Sequence, residues 1–173
     1  MKRRTLFLPA VLLAVLSATA QAAPVTNNES ADAMKLPYGA PLSLDLAKRI
    51  MTGAEREAAR KKINVAISIV DSAGKRVLFS KFDNTHLASI DVSEGKATTA
   101  VEFRRATKLL QDVVNSGKAF HLPTISGAVM IEGGLLIIDN NQIVGAIGVS
   151  GGTSVEDAEI ARAGILYAGT SQP

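Results

Sequence analysis

The sequence predicts an α+β domain in which helices pack on an antiparallel five-stranded sheet. Two apolar runs of strand length lie between residues 65 and 82, and three more lie between residues 129 and 149. Stretches with apolar residues at helical spacing precede, separate and follow these two groups. The predicted element order is therefore α-ββ-αα-βββ-α, and strands joined by short turns are expected to pair antiparallel.

The start of the chain has the pattern of a targeting segment. The basic residues Lys2–Arg4 precede an apolar run, Leu6–Leu16, that is too short to favour a membrane span. The small residues Ala20 and Ala22 then provide a cleavage site. We therefore predict a signal peptide over residues 1–22, cleaved near Ala22, and a mature protein that is periplasmic or secreted.

Cleavage of this segment changes the charge of the protein. The precursor has 19 basic and 16 acidic residues, and three of the basic ones lie in the targeting segment. The mature chain is therefore balanced, so its net charge does not favour nucleic acid. No amphipathic basic helix favours a membrane surface. Because the chain has no cysteine, it offers neither a disulfide nor a thiolate ligand.

A leader and a first helix precede the strands. Residues 23–41 are polar, contain three prolines and lack periodicity, which predicts a flexible leader. The domain itself is expected over residues 42–170. Ser43 can cap a helix that begins at Leu44. The apolar face of this helix consists of Leu46, Ala47, Ile50, Met51, Ala54 and Ala58, and its basic end is Arg60–Lys62.

A hairpin and a helix rich in small residues come next. Val65–Asp71 and Arg76–Phe82 are predicted to form a β-hairpin. After a loop, a helix opens at Ser89 or Asp91. Its small residues are Ser93, Gly95, Ala97, Thr98, Thr99 and Ala100. Such a helix can pack closely on something flat, either a sheet or a ligand. A second helix is expected over Lys108–Asn115.

The last part of the chain contains the remaining strands. Val129–Glu132 is predicted to be a short strand, and Leu135–Ile138 begins a hairpin. The returning run, Ile143–Val149, is apolar on both faces, so we expect it in the middle of a covered sheet. Its glycines, Gly145 and Gly148, indicate close approach by a packed helix or by a flat ligand.

The hairpin is followed by a final helix. Thr153 and Glu156 have the spacing of a capping box, which predicts that the helix begins at about Ser154. Glu156 and Glu159 could hold a hard metal ion. The alternative is that both acids interact favourably with the N-terminal end of the helix dipole.

Three motifs in this chain resemble a known family. They are Val65–Gly74, Ala88–Val92 with Lys96–Ala100, and Gly145–Gly152. The resemblance is to the GlcG/HbpS-like family, also called the haem-degrading domain, which includes the C-terminal domain of PduO-type proteins. It covers about residues 42–169. It implies a profilin-like or roadblock-like sheet, homo-oligomers that are dimers or larger rings, and haem or corrinoid binding.

Histidine and threonine are the candidate donors to a haem iron. His86 lies just before the small-residue helix, His121 lies in a proline-containing loop, and imidazole is a good iron donor. The alternative at both positions is a solvated loop histidine. The resemblance implies a third donor, Thr99, whose hydroxyl would lie against bound haem. Its alternative is a hydrogen bond to its own helical turn.

Cationic side chains could bind the carboxylates of such a ligand. Lys96 lies one turn before Thr99, and Arg104 and Arg105 follow at the predicted break after this helix. Ordinary surface charge or an ion pair is the alternative for each. We identify no catalytic residue, because no nucleophile lies beside a base and no carboxylate pair marks a cleft.

Two functions are compatible with these observations. The resemblance implies a periplasmic haem-binding protein that degrades haem by coupled oxidation or senses it. The alternative is a non-catalytic module that binds another small ligand, such as a corrinoid, or serves only in assembly. Both include a homo-oligomer, and neither includes nucleic acid or a membrane as a partner.

Overall fold

The computed structural model describes residues 33–169, which form an α+β domain with four α-helices and a four-stranded antiparallel sheet. The elements are α1 (Leu44–Lys61), β1 (Ala66–Asp71), β2 (Arg76–Lys81), α2 (Ser89–Phe103), α3 (Thr107–Asn115), β3 (Gly134–Asp139), β4 (Gln142–Ser150) and α4 (Ser154–Tyr167). The predicted signal peptide lies outside the described residues. Within residues 33–169, none of the helices has the length and apolar character needed to span a membrane.

The strands lie in the order β2-β1-β4-β3, and each neighbouring pair is antiparallel. β4 is therefore an interior strand, as its apolar character on both faces predicts. The hairpin between β3 and β4 turns at Asn140 and Asn141, which have φ angles of 48° and 59°. Two successive positive φ angles are typical of the type I′ turn that favours asparagine.

The prediction of a fifth strand at Val129–Glu132 is wrong. The first and last backbone N–H groups of this segment bond to helix side chains instead of to a neighbouring strand. Val129 donates to Thr99 Oγ1 at 2.8 Å, and Glu132 donates to Gln111 Oε1 at 2.8 Å. The β-branched residues gave the segment a strand-like pattern, but its hydrogen bonds hold it along α2 and α3. The observed order is α-ββ-αα-ββ-α.

Helices cover both faces of the sheet. On one face, α1 and α4 pack on alternate residues of the strands, including Ile67, Ile69, Leu135, Ile137 and Ile147. On the other face, α2 packs on the intervening residues Val70, Leu136, Ile138 and Ala146. Successive side chains of a strand point to opposite faces of the sheet. Because helices cover both faces, residues at successive positions are buried and apolar.

Two predicted helix starts are confirmed by their caps. Ser43 Oγ accepts the N–H of Leu46 at 3.2 Å, and α1 begins at Leu44. Thr153 and Glu156 form a reciprocal capping box at the start of α4. Each cap satisfies N–H groups that the first turn of a helix leaves without a backbone acceptor.

The close approach predicted at Gly148 is made by a helix. A Cβ atom placed on Gly148 would lie 2.1 Å from the backbone oxygen of Ser93 and 2.6 Å from the backbone nitrogen of Ala97. On the same side of the sheet, Ser68 Oγ and Ser93 Oγ are hydrogen-bonded at 3.1 Å. The flat surface on which this side of α2 packs is therefore the sheet.

The end of the leader packs against the domain. Residues 37–39 are hydrogen-bonded to β4. The N–H of Ile143 donates to Pro37 O and the N–H of Gly39 donates to Ile143 O, both at 2.9 Å. The hydroxyl of Tyr38 donates to Val101 O at 2.9 Å, near the C-terminal end of α2. Ala33 is buried in the core on the α2 side. Residues 33–41 thus lie against β4 and α2.

We expect Gly148→Ala to lower the free energy of unfolding by about 1–3 kcal/mol, as overpacking of a well-packed interior does. The added methyl group meets backbone atoms of α2, which cannot rotate away. Urea unfolding followed by circular dichroism measures the change. Gly152→Ala is the matched control, because its Cβ would meet only side-chain atoms at 3.1 Å or more. Equal stability of both variants would contradict the observed packing of α2.

Candidate functional site

Two buried polar side chains of α2 lie at the centre of the predicted site. Lys96 is 2% exposed and Thr99 is 0% exposed. Both side chains point to the chain segment that leads into β3, and neither lies on the protein surface. The structure therefore places these two candidates inside the domain.

The ammonium group of Lys96 forms a buried ion pair. Its Nζ atom lies 2.8 Å from Asp157 Oδ2 and donates to the backbone oxygen of Val149 at 2.9 Å. Asp157 is 2% exposed, and its second carboxylate oxygen accepts the N–H of Gly152 at 3.0 Å. The pair joins α2 to the start of α4, on the other face of the sheet. In this structure the ammonium group is engaged by Asp157.

Two glycines make room for the lysine. A Cβ atom on Gly133 would lie 2.7 Å from Lys96 Nζ, and one on Gly134 would lie 2.4 Å from the backbone oxygen of Lys96. Gly133 also has a φ angle of 126°, a conformation that other residues rarely adopt. Gly133 therefore leaves space for the lysine side chain, and Gly134 leaves space for the backbone of α2 at Lys96.

The environment of Asp157 changes its acidity. Burial raises the pKa of the Asp157 carboxyl above its usual value, because the charged form loses its hydration. The charge and hydrogen bond of Lys96 and the N–H of Gly152 lower the pKa and offset part of that rise. A buried charge of this kind is stable only with partners that satisfy it.

Thr99 bonds to a different segment of the chain. Its Oγ1 atom accepts the N–H of Val129 at 2.8 Å, and no described hydrogen bond runs from this hydroxyl to its own helical turn. Downstream, Gln111 Oε1 accepts the N–H of Glu132, and Thr107 Oγ1 accepts the N–H of Gly134 at 2.9 Å. Three helix side chains therefore anchor residues 129–134, which we call the anchored segment.

His86 and His121 both lie at the surface. His86 precedes the first turn of α2, and His121 lies in the loop between α3 and the anchored segment. Neither imidazole has a hydrogen bond to a described residue, and no hydrogen bond or ring contact joins the two. The ring of His121 contacts that of Phe120 edge-on, with 6.0 Å between centroids.

The neighbours of the histidines are exposed apolar side chains. Leu87 is 81% exposed and Phe120 is 83% exposed. Most side chains of this size are at least partly covered in a folded protein. Each histidine is therefore adjacent in sequence to an apolar side chain that the described domain leaves open.

Arg104 and Arg105 lie against the end of the leader. The Arg104 guanidinium stacks on the Tyr38 ring at 4.4 Å. Arg105 is half-buried, with Nε donating to Phe103 O at 3.2 Å and Nη2 lying 2.9 Å from the sulfur of Met34. Within residues 33–169, neither arginine has an ion pair with a carboxylate. The structure does not bring them into contact with either histidine.

Glu156 and Glu159 have separate partners. Glu156 accepts from Thr153 in the capping box, which lowers its pKa, and Glu159 pairs with Lys61. No cluster of three or more metal-binding side chains occurs within residues 33–169. Glu156 thus lies in the first turn of α4, as its alternative expects, whereas Glu159 lies beyond that turn and pairs with another helix.

Sequence reasoning did not identify the partners that organise this region. Asp157 lies next to Glu156 and resembles an ordinary first-turn acid, while Thr107 and Gln111 resemble surface helix residues. The Gly133-Gly134 pair is the sequence signal that could have pointed to this region, because adjacent glycines permit close approach by another part of the chain.

Comparisons with known proteins agree with the sequence motifs. A family model described as "Haem degrading protein HbpS-like" matches residues 42–166. Protein GlcG of Escherichia coli K12 is 34% identical over 109 residues, which cover 63% of this chain and 81% of GlcG.

Two crystal structures have a similar fold. The PduOC:haem complex is 28% identical with a TM-score of 0.69, and the match covers 76% of this chain and 97% of PduOC. A double mutant of HbpS from Streptomyces reticuli is 26% identical with a TM-score of 0.68, and the match covers 84% of this chain and 97% of HbpS.

We expect Lys96→Met and Asp157→Leu each to lower the free energy of unfolding by about 3–5 kcal/mol, because each leaves one buried charge unpaired. The double variant replaces both charges by apolar groups, so its loss should be smaller than the sum of the single losses. Chemical denaturation of the three variants measures this coupling. Additive losses would contradict a direct buried ion pair.

Proposed function

The chain belongs to the family of HbpS-like haem-degrading proteins, and we propose on that premise that it is an exported haem-binding protein. The solved complex of PduOC with haem, which is similar in sequence and fold, supports the proposal. Export to the periplasm or the medium is supported by the predicted signal peptide over residues 1–22.

The observation that carries the proposal is the exposure of two imidazoles beside apolar side chains. His86 adjoins Leu87, which is 81% exposed, and His121 adjoins Phe120, which is 83% exposed. Haem needs an axial donor and apolar surface for its ring. Both needs are met at the surface without moving any part of the core, so we propose His86 or His121 as the axial ligand.

The other candidate haem-binding residues are buried or already have partners. Thr99 has no exposed surface, and its hydroxyl accepts the Val129 N–H. Lys96 is engaged by Asp157. Arg105 is only half-buried, and its Nη1 makes no described hydrogen bond, so it can still donate to a carboxylate. The structure does not place Arg105 beside either histidine, however, so we assign no cation to the haem propionates.

Degradation or sensing of haem is the finer part of the proposal. When bound, haem supplies an iron centre that activates oxygen or peroxide for coupled oxidation of its own ring. The part of the protein is then to hold the ring at a position that solvent oxygen can reach. The exposed locations of His86 and His121 suit that requirement.

A second candidate function is that of an assembly module. Besides Leu87 and Phe120, Ile125 is 42% exposed in the loop that carries His121, and Ile131 is 48% exposed in the anchored segment. Exposed apolar side chains also mark contacts between proteins. A homo-oligomer, either a dimer or a larger ring, would cover them without any haem.

We expect haem titration of the mature protein to give a saturable Soret band. Removing the axial donor should weaken binding about tenfold or more, which corresponds to ~1.4 kcal/mol. His86→Ala and His121→Ala identify the donor, and Lys48→Ala on α1, across the sheet, is the control. No saturable band would contradict haem binding. If both histidine variants bound haem as tightly as the unaltered protein, imidazole ligation would be contradicted.

We expect Phe120→Asp to reduce the mass of the assembly measured by light scattering, because a charge replaces an exposed apolar side chain in the contact. Val155→Asp is the matched control, since Val155 is 55% exposed but lies on α4. Lower mass with unchanged haem affinity would favour the assembly module. A change in mass only with Val155→Asp would place the contact on α4.

A further inference from the structure

We propose that Thr99 is a positioning residue that holds the loop carrying His121, and that it does not ligate the haem iron. The inference deepens the proposed function and rests on it, with His121 as the axial ligand. It comes from the burial of Thr99, its hydrogen-bond partner and the packing around that partner.

A large ligand cannot reach the hydroxyl of Thr99 in this structure. The residue is 0% exposed, and Oγ1 accepts the N–H of Val129 at 2.8 Å. A haem ring reaching this oxygen would first have to displace the backbone of Val129. The alternative of a hydrogen bond to its own helical turn also fails, because the described partner lies in another part of the chain.

Val129 is seated on α2 by packing as well as by this hydrogen bond. A Cβ atom on Gly95 would lie 2.4 Å from Val129 Cγ2. Gly95 and Thr99 are four residues apart on α2, so they lie on the same side of the helix. Gly95 provides the space for the Val129 side chain, and Thr99 provides the acceptor for its backbone.

The bond to Thr99 is the first anchor that the chain meets after His121. From Lys118 to Ala128, the described hydrogen bonds stay within the loop. They include Leu122 to Ala119, Thr124 to His121, Ile125 to Leu122 and Ala128 to Ile125. At Val129 the chain first bonds to a helix side chain. Thr99 therefore sets where the loop with His121 ends.

A positioning role and a ligand role predict different spectra. If Thr99 holds the loop, losing its hydroxyl frees Val129 and lets His121 occupy more positions. Haem affinity then falls, but the donor atom and the Soret maximum stay the same. If Thr99 ligates iron, losing its hydroxyl replaces the donor and shifts the Soret maximum.

The test compares Thr99→Val, Thr99→Ser and Gly95→Ala in the mature protein. In the haem-free state, Thr99→Val should raise the amide exchange rate of Val129 roughly five- to tenfold, as expected for one lost hydrogen bond. In the haem-loaded state it should weaken haem binding by a similar factor with an unchanged Soret maximum. Thr99→Ser keeps the hydroxyl oxygen that accepts the Val129 N–H. Its Val129 exchange rate and its haem affinity should therefore equal those of the unaltered protein.

Gly95→Ala provides an independent variant that keeps the Thr99 hydroxyl. Its methyl group displaces Val129, so it should lower haem affinity without moving the Soret maximum. Thr98→Val is the matched control, because it makes the same chemical change one position along α2, where the side chain has no described hydrogen bond.

Two results would overturn the inference. One is a shifted Soret maximum in Thr99→Val that Thr99→Ser does not show. The other is an unchanged exchange rate at Val129 in Thr99→Val. If the unaltered protein binds no haem, the proposed function fails, and the exchange rate in the haem-free protein still decides whether Thr99 holds the loop.

Discussion

The buried ion pair between Lys96 and Asp157 is the constraint on which the arrangement of this domain depends. It joins a helix on one face of the sheet to a helix on the other face, beside the start of β3 and the end of β4. An unpaired charge in that position would cost several kcal/mol, so the elements around it must meet in one geometry. The glycines at 133 and 134 leave space for the lysine, and Val149 and Gly152 complete its hydrogen bonds and those of Asp157.

The same part of the fold separates buried polar groups from exposed ones. Lys96, Thr99 and Thr107 all bond inside the domain, and Thr99 and Thr107 hold the segment that leads into β3. His86 and His121 lie outside this network and keep their imidazoles free of described hydrogen bonds. A buried polar network resists rearrangement because each broken bond leaves an unsatisfied group. Ligand chemistry is therefore more easily placed at the exposed histidines than at the buried hydroxyl and ammonium groups.

Local patterns predicted most of the fold because they depend on neighbouring residues. The caps at Ser43 and Thr153, the interior position of β4 and the turn at Asn140 all involve contacts within a few residues or one period of a strand. The segment Val129–Glu132 has the composition of a strand, but its backbone donors bond to α2 and α3. Its composition carries no information about which acceptors lie opposite, so the fifth strand was predicted and did not form.

The sequence by itself determined the family, the helices, the four observed strands and the residue types able to bind iron. The tertiary structure alone decided which of those residues are accessible. Lys96 and Thr99 occur in a motif with several polar residues, and nothing in that motif distinguishes a buried side chain from an exposed one. Their side-chain partners, Asp157 and Val129, are distant in sequence and meet α2 only when the layers pack. Solvent access is a property of the packed layers, so no local pattern encodes it.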